Sequence, residues 1–533
     1  MKRLSSVVLA CSLTVLGWSG AWADVRLPKI FTDNMMLQRD KPVRVWGWAE
    51  PGEQVNVTLA GKQAAAQTDK DGRWSVEMPA LKEGENLELT VAGKNTLTLK
   101  NVIVGDIWLC SGQSNMEMGL GGCLGAAEDI KSADLPKIRQ IKFNHVTSAY
   151  AEPDAPAATA WQVCSPQSAG GMTAVGFYYA REVQAKTGVP IGILDDNWGG
   201  TAIEPWVAPE GMELVPELKQ AAAERQNAMA AYRTNQLPKA IEAMEIWIAA
   251  TRTALEKDAP LIPAPRIPGH PGANGWCGMY NAMINPLVHF PIKGALWYQG
   301  ESNGGEGESY YDKMRALVGG WRKQWGQADL PFYYVQLANF QGATDDPAGG
   351  DGWAKLRGAQ TKALSIPNAG MAVIIDIGEA NDIHPKNKYD VGLRLARWAL
   401  ARDYGQKDLV PSGPIFKEMK IEGGKAKLFF DHVGSGLMVG KKEGRAPTVE
   451  DKEAALKRFA IAGADPSSPG GSAAAGKKWH WAEAVIEGNA VVVSSPAVAQ
   501  PVAVRYAFSY NPTGANLYNR EGLPASPFRT DDW

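Results

Sequence analysis

Between about Val25 and Lys100 the chain alternates apolar and polar positions in short bursts, VRVWGWAE, QVNVTLAG, GRWSVEMP and NLELTVAG, broken at Pro51-Gly52, Asp71-Gly72 and Gly84. Alternation of period two marks strands with one buried face, and turn residues at this spacing predict a small β-sandwich over residues 24–100. From Asn101 to about Gly405 the pattern changes. Apolar strand-like runs are followed by helix-like ones, as in VGFYYAREVQAKTG before PIGILDDNW, and KGALWYQGES before SYYDKMRALVGGWRKQWG. Such alternation predicts an α/β domain over residues 101–405, built on a parallel sheet with helices on both faces and its site at the carboxyl ends of the strands.

Two segments depart from that rhythm. Residues Glu210 to Asp258 are rich in Ala, Glu, Lys, Arg and Met and read as a helical insertion spanning about 207–275, closed by the proline- and glycine-rich LIPAPRIPGHPGANGW. After Tyr404 the runs KAKLFFDHV, EAVIEGNAVVVSS and PVAVRYAFSY return to strand character, so residues 406–533 are expected to be β-rich. Between them, PSSPGGSAAAGKK at Pro466 to Lys478 reads as a mobile surface loop.

At the amino end, Lys2 and Arg3 precede an apolar run and then Ala21, Trp22, Ala23 and Asp24. This is the layout of a cleaved secretory signal, residues 1–23, which predicts export to the periplasm or beyond and no membrane insertion once the signal is removed. The run is shorter than the roughly 20 residues of a spanning helix. Charge adds an exclusion: 55 Lys plus Arg against 57 Asp plus Glu leave no basic footprint for nucleic acid. Nineteen tryptophans give mild support to a glycan ligand, because indole faces can stack on the apolar faces of sugars. Cys110, Cys123, Cys164 and Cys277 remain after signal removal, and an even count in an export context permits disulfides. Cys110 is expected as a buried thiol, and Cys123–Cys164 is the favoured pair if a bridge forms. No zinc spacing or HExxH motif is present, so neither a metal nor another cofactor is expected.

The chemistry concentrates in four ordered blocks. GDIWLCSGQSNMEM at Gly105 to Met118 runs from an apolar strand into a small polar turn carrying Ser114. NWGGT at Asn197 to Thr201, WYQGESN at Trp297 to Asn303 and DIGEANDIHP at Asp376 to Pro385 follow. A serine between Gly and Asn is usually only a turn residue; the company of the other blocks makes this one a nucleophile candidate. A serine nucleophile needs a base, and there are six histidines to choose from. His145 and His289 lie in apolar or transitional segments, His270 in the proline-rich loop, and His480 between Trp479 and Trp481. His432 directly follows Asp431, so in a strand the two side chains would diverge. His384 remains, with Asp382 two residues earlier able to orient the ring and Pro385 keeping the segment out of a helix.

These blocks, with LPKIFTDNMMLQ at Leu27 to Gln38 and the carboxyl-terminal ANLYNREGLPASPFRTDDW, resemble the sialate O-acetylesterase-like carbohydrate esterases of the SGNH hydrolase superfamily over nearly the whole chain. The resemblance implies a three-layer SGNH hydrolase domain with flanking β-rich domains. It implies Ser114 as nucleophile, His384 as base with Asp382, and an oxyanion hole from the backbone N–H groups of Ser114 and Gly199, with Gly200 the neighbouring alternative. Where the superfamily has Gly-Asp-Ser this chain has Gly112-Gln113-Ser114, and its third block is replaced by QGESN, whose Gln299 and Asn303 amides are the candidates for a third donor. Asn381 stands at the superfamily's usual aspartate position, three residues before the histidine. Glu301, which only accepts hydrogen bonds when ionised, is expected to orient or contact substrate, and Trp198 and Trp206 are the expected aromatic walls. The implied activity is removal of acetyl groups from an acetylated oligosaccharide or polysaccharide: hemicellulose such as xyloglucan or xylan, pectin, or sialic acid. A non-catalytic glycan-binding protein on an esterase scaffold is the alternative. A lipase-like esterase is disfavoured by the absence of a G-x-S-x-G elbow.

Overall fold

The computed structural model describes residues 24–463 and 478–533, so the expected signal, residues 1–23, and all but the last residue of the expected Pro466–Lys478 loop lie outside the described residues. At the centre is a parallel sheet whose neighbouring strands are Ala369–Ala372, Phe332–Val335, Gly294–Tyr298, the end of Thr96–Gly112, Ile191–Asp195 and Leu135–Lys142. The short Gln162–Cys164 strand adds antiparallel at the edge. Side chains alternate between two cores, as the strand pleat requires. On one face Trp108, Cys110, Ile193, Leu296 and Tyr333 pack under the helices Ala174–Thr187 and Lys388–Arg402. On the other, Leu109, Leu194, Trp297 and Tyr334 pack under Tyr310–Trp325 and Pro209–Leu214. The α/β class and the three layers follow from strands that are buried on both faces.

The strand Thr96–Gly112 serves two sheets. Its first half pairs antiparallel with Gly84–Ala92 in the amino-terminal sandwich and its second half lies in the parallel sheet, so Asn101, expected to open the second domain, falls inside one continuous strand. Sandwich burial follows the predicted alternation, with Val55, Val57 and Leu59 inward on one strand and Trp74, Val76 and Met78 inward on another. The inserted segment folds into helices Lys219–Ala231 and Leu237–Glu256. The carboxyl-terminal segment forms antiparallel β-sheets around a core that includes Leu428, Ile461, Val491 and Val504. Fully buried Arg357 ties it to the α/β domain by donating to the carbonyls of Leu337, Ala338, Ser509 and Tyr510.

The cysteines correct one expectation: all four are free thiols and Cys123–Cys164 is not a pair. Cys123 Sγ donates to Gly119 O at 3.6 Å and Cys164 Sγ to Ala133 O at 3.7 Å. Burial pushes the Cys164 thiol up to about 12, which disfavours the thiolate that disulfide exchange requires.

Candidate active site

Three of the four blocks leave the carboxyl ends of three adjacent strands, with Tyr298 level with Gly112 and Asp195 level with Cys110. The nucleophile strand ends at Gly112, whose φ of +133° and close approach exclude a side chain: an added Cβ would lie 2.2 Å from Tyr298 O. Gln113 then bonds Tyr298 O through its N–H at 2.9 Å, while its side-chain oxygen accepts from the N–H groups of Gly300 (3.4 Å) and Ser302 (3.3 Å). The glutamine that replaces the superfamily's aspartate thus stitches the Ser114 turn to the QGESN turn. Ser114 opens the four-residue helix Ser114–Glu117, where its N–H has no intrahelical partner.

His384 arrives from the loop between the Ala369–Ala372 strand and the Lys388–Arg402 helix. Its Nε2 lies 2.8 Å from Ser114 Oγ across 270 positions of sequence. The Asp382 contact is looser. Asp382 Oδ1 is 3.5 Å from His384 Nδ1 but accepts the His384 backbone N–H at 2.8 Å, while Oδ2 faces Lys386 Nζ at 2.9 Å. These two donors, the backbone N–H first, hold the half-buried Asp382 carboxyl below its usual range. Asp382 therefore shapes the loop more than it holds the ring, and Asp382→Asn is expected to lower kcat by less than about a hundredfold, well short of the 10⁴-fold seen when a tightly bonded triad aspartate is changed. Steady-state kinetics on an aryl acetate checks this.

The second block is pinned to the nucleophile strand by Trp198 N–H to Gly112 O at 3.0 Å and by Asn197 Nδ2 to Cys110 O at 3.2 Å. Asn197 Nδ2 also reaches buried Asp195, whose carboxyl burial raises to about 7. Gly199 lies against Ser114, an added Cβ meeting Ser114 Cβ at 3.2 Å, which suits it to an oxyanion forming at the serine. Its N–H is nevertheless engaged, donating to Glu117 Oε2 at 2.7 Å. A carboxylate oxygen thus occupies this donor. Glu117 is met on its other oxygen by His145 Nε2 at 3.2 Å, and the His145 ring stacks on Trp198 with centroids 4.8 Å apart. His145, set aside in the sequence, belongs to the rim of the site; nothing in its local sequence marks it.

Three expected roles are corrected. Gln299 and Asn303 are not oxyanion donors. Both are buried, with Gln299 Nε2 donating to Thr201 O and Asn303 Oδ1, and Asn303 Nδ2 donating to Glu204 and Glu306, so every amide hydrogen they could offer already serves the scaffold. Trp206 is not a cleft wall. It is 0% exposed, bonded through Nε1 to Thr201 Oγ1 at 3.0 Å and packed edge-on against Trp297. Trp206→Ala is accordingly expected to cost about 3–5 kcal/mol of stability and to impair large and small esters alike, which thermal denaturation and parallel kinetics would reveal. Trp198, next to Gly199, is half-buried and stacked on His145.

Glu301 contacts the nucleophile helix. Its Oε1 accepts from Asn115 Nδ2 at 2.5 Å, and its carboxyl is pushed up by burial. Asn115 also donates to Ile383 O at 3.0 Å and accepts from Lys388 Nζ, which in turn donates to Pro385 O at 2.9 Å. Lys388 is fully buried, and burial brings its ammonium down to about 8. Asn115 and Lys388 carried no expectation from sequence, although one adjoins the serine and the other closes HPKNK. Among the described residues no group of three or more His, Cys, Asp or Glu converges to hold a metal ion.

Comparison with known proteins places this geometry. Residues 104–241 and 273–401 match the carbohydrate esterase family described as sialic acid-specific acetylesterase. Among curated relatives, mouse sialate O-acetylesterase is 28% identical over 446 residues, covering 75% of this chain and 78% of that protein. The human sialate O-acetylesterase is 27% identical over 461 residues, 79% of this chain and 80% of its own length. Among solved structures, a carbohydrate acetylesterase from Xanthomonas citri superposes with a TM-score of 0.77 at 37% identity, covering 96% of this chain and all of that one.

Proposed function

The chain belongs to the sialic acid-specific acetylesterase family of carbohydrate esterases and is a carboxylic ester hydrolase of the acetylesterase type, and we propose that it deacetylates neutral hemicellulose fragments outside the cytoplasm through a Ser114 acyl-enzyme. The observation that carries the mechanism is the 2.8 Å contact between His384 Nε2 and Ser114 Oγ. With its proton on Nδ1, the imidazole takes the hydroxyl proton as Oγ adds to the acetyl carbonyl carbon. The carbonyl oxygen becomes an oxyanion within reach of the Ser114 and Gly199 N–H groups, the latter released by Glu117. His384 then protonates the departing sugar oxygen. Water, deprotonated by the same nitrogen, attacks the acetyl-serine, and acetate leaves.

Charge around the site supports a neutral glycan over sialate. The Glu117 carboxylate beside Gly199 disfavours an anionic sugar, and the Lys386 ammonium is spent on Asp382. The leader-like residues 1–23 support export.

Acetate release across acetylated xyloglucan, xylan, pectin and O-acetyl sialic acid tests the substrate class, with the neutral hemicelluloses expected to be favoured. A preference for sialate, or for acyl chains longer than acetyl, would overturn it. Trp198→Ala is expected to weaken turnover of acetylated oligosaccharide more than that of a small aryl acetate, because only the larger substrate draws binding energy from the aromatic face. Equal losses on both substrates would remove Trp198 from sugar recognition.

A further inference from the structure

The base His384 is poorly held by its expected partner, with 3.5 Å between Nδ1 and Asp382 Oδ1 and a third or more of each side chain exposed. What does hold it is a closed ring of bonds around its backbone. Asn115, the residue after the nucleophile, donates to the carbonyl of Ile383, the residue before the base. Lys388 donates to the carbonyl of Pro385, the residue after the base, and to Asn115 Oδ1, which closes the ring. Both carbonyls flanking His384 are thereby tied to the residue adjoining Ser114. Pro385 has no N–H and a fixed φ, so the segment has little freedom left between the two ties.

The chemistry also fixes the orientation of the central amide. A lysine ammonium only donates, so the atom of Asn115 facing it is the oxygen; the amide hydrogens then face two acceptors, Ile383 O and the Glu301 carboxylate. Asn115 and Lys388 are both buried, where such bonds are shielded from water and an unpaired group is costly. No other orientation of the amide satisfies all three neighbours.

We infer that Asn115 and Lys388 are the positioning residues of this esterase, a buried clamp that sets the Ser114–His384 distance in place of a tight aspartate–histidine bond. This rests on the serine mechanism proposed above. Neither residue touches substrate, so their loss should appear in kcat and leave KM in place.

Lys388→Met, of similar length and apolar, is expected to lower kcat about a hundredfold, the cost of a misplacement of about 1 Å between reacting groups, with KM within about twofold of the parent. Labelling of Ser114 by a fluorophosphonate should slow by a similar factor. Asn115→Asp, which removes the donors to Ile383 and Glu301, should act likewise. Because the two residues form one device, the double variant should fall no further than the worse single variant. Kinetics are normalised to the folded fraction from circular dichroism, and Lys388→Gln, which keeps a donor, serves as an intermediate if Lys388→Met folds poorly; it should retain more activity than Met.

The clamp is overturned if folded Lys388→Met or folded Asn115→Asp keeps kcat within about threefold of the parent, if Lys388→Gln is no more active than Lys388→Met, if KM rises as kcat falls, or if the two losses simply add. It is also overturned if Asp382→Asn is more damaging than either clamp variant. Ser114→Ala, measured alongside, separates the two levels: an active Ser114→Ala enzyme removes the serine mechanism itself, whereas an inactive one beside an unimpaired Lys388 variant removes only the clamp.

Discussion

Ser114→Ala is expected to fold as the parent does and to lose about 10⁴- to 10⁶-fold in kcat for acetyl-ester hydrolysis, the range found when a serine hydrolase loses its nucleophile. Folding should be spared because Ser114 is partly exposed on a four-residue helix and its hydroxyl is bonded to the half-buried His384 ring, so the substitution opens no cavity in the core. The residual rate would come from binding and from the remaining oxyanion donors. Ser111→Ala is the informative comparison. Ser111 lies three positions earlier, on the strand that leads to Ser114, fully buried, with an unpartnered hydroxyl, and its loss should leave turnover close to the parent's. Stopped-flow hydrolysis of an aryl acetate, with mass spectrometry of the quenched enzyme, should show an acetyl group on Ser114 in the parent and none in Ser114→Ala. Full activity in Ser114→Ala would end the assignment.

His384→Ala is expected to be nearly as damaging, losing about 10³- to 10⁵-fold, because Ser114 then has no base to take its proton. Among the described residues no other histidine is bonded to Ser114. His145 is engaged with Glu117 and stacked on Trp198, and His432 has a positive φ and its ring edge-on to Trp398 at 5.5 Å. Adding the variants Ser114→Ala and His384→Ala together should cost little more than the worse one alone, since the pair acts as a unit. A parent-like rate for His384→Ala would move the base elsewhere and would remove the reason for the surrounding clamp.

How much of this was legible in the chain depends on the range of the interaction. Strand and helix character repeats over a few residues, so the sandwich alternation at Val55, Val57 and Leu59 and the strand–helix rhythm of the α/β domain were readable from period alone. Ser114 and His384 were readable as a candidate pair because histidine is scarce, six in the chain, and both residues stand in recognisable blocks; the structure brings them within hydrogen-bond reach. The amides of Gln299 and Asn303 were misread as donors because a sequence displays a side chain's capacity for hydrogen bonds and says nothing of whether neighbours have already consumed it. Trp206 was misread for the parallel reason: an indole is as suited to a core as to a sugar, and only its complete burial against Trp297 decides.

By itself, then, the sequence determined the classes of element, their order and the candidate residues for serine acyl transfer, since these depend on local period and on side-chain chemistry. Tertiary structure alone decided who meets whom. It brought His384 to Ser114 over 270 positions and Lys388 to Asn115 over 273, placed Glu117 on the Gly199 donor, and left Asp382 at 3.5 Å from the ring it was expected to hold. The physical reason is that hydrogen bonds act over about 3 Å. Such distances are set by the packing of the three adjacent strands and the loops that leave them, and no local pattern records the result.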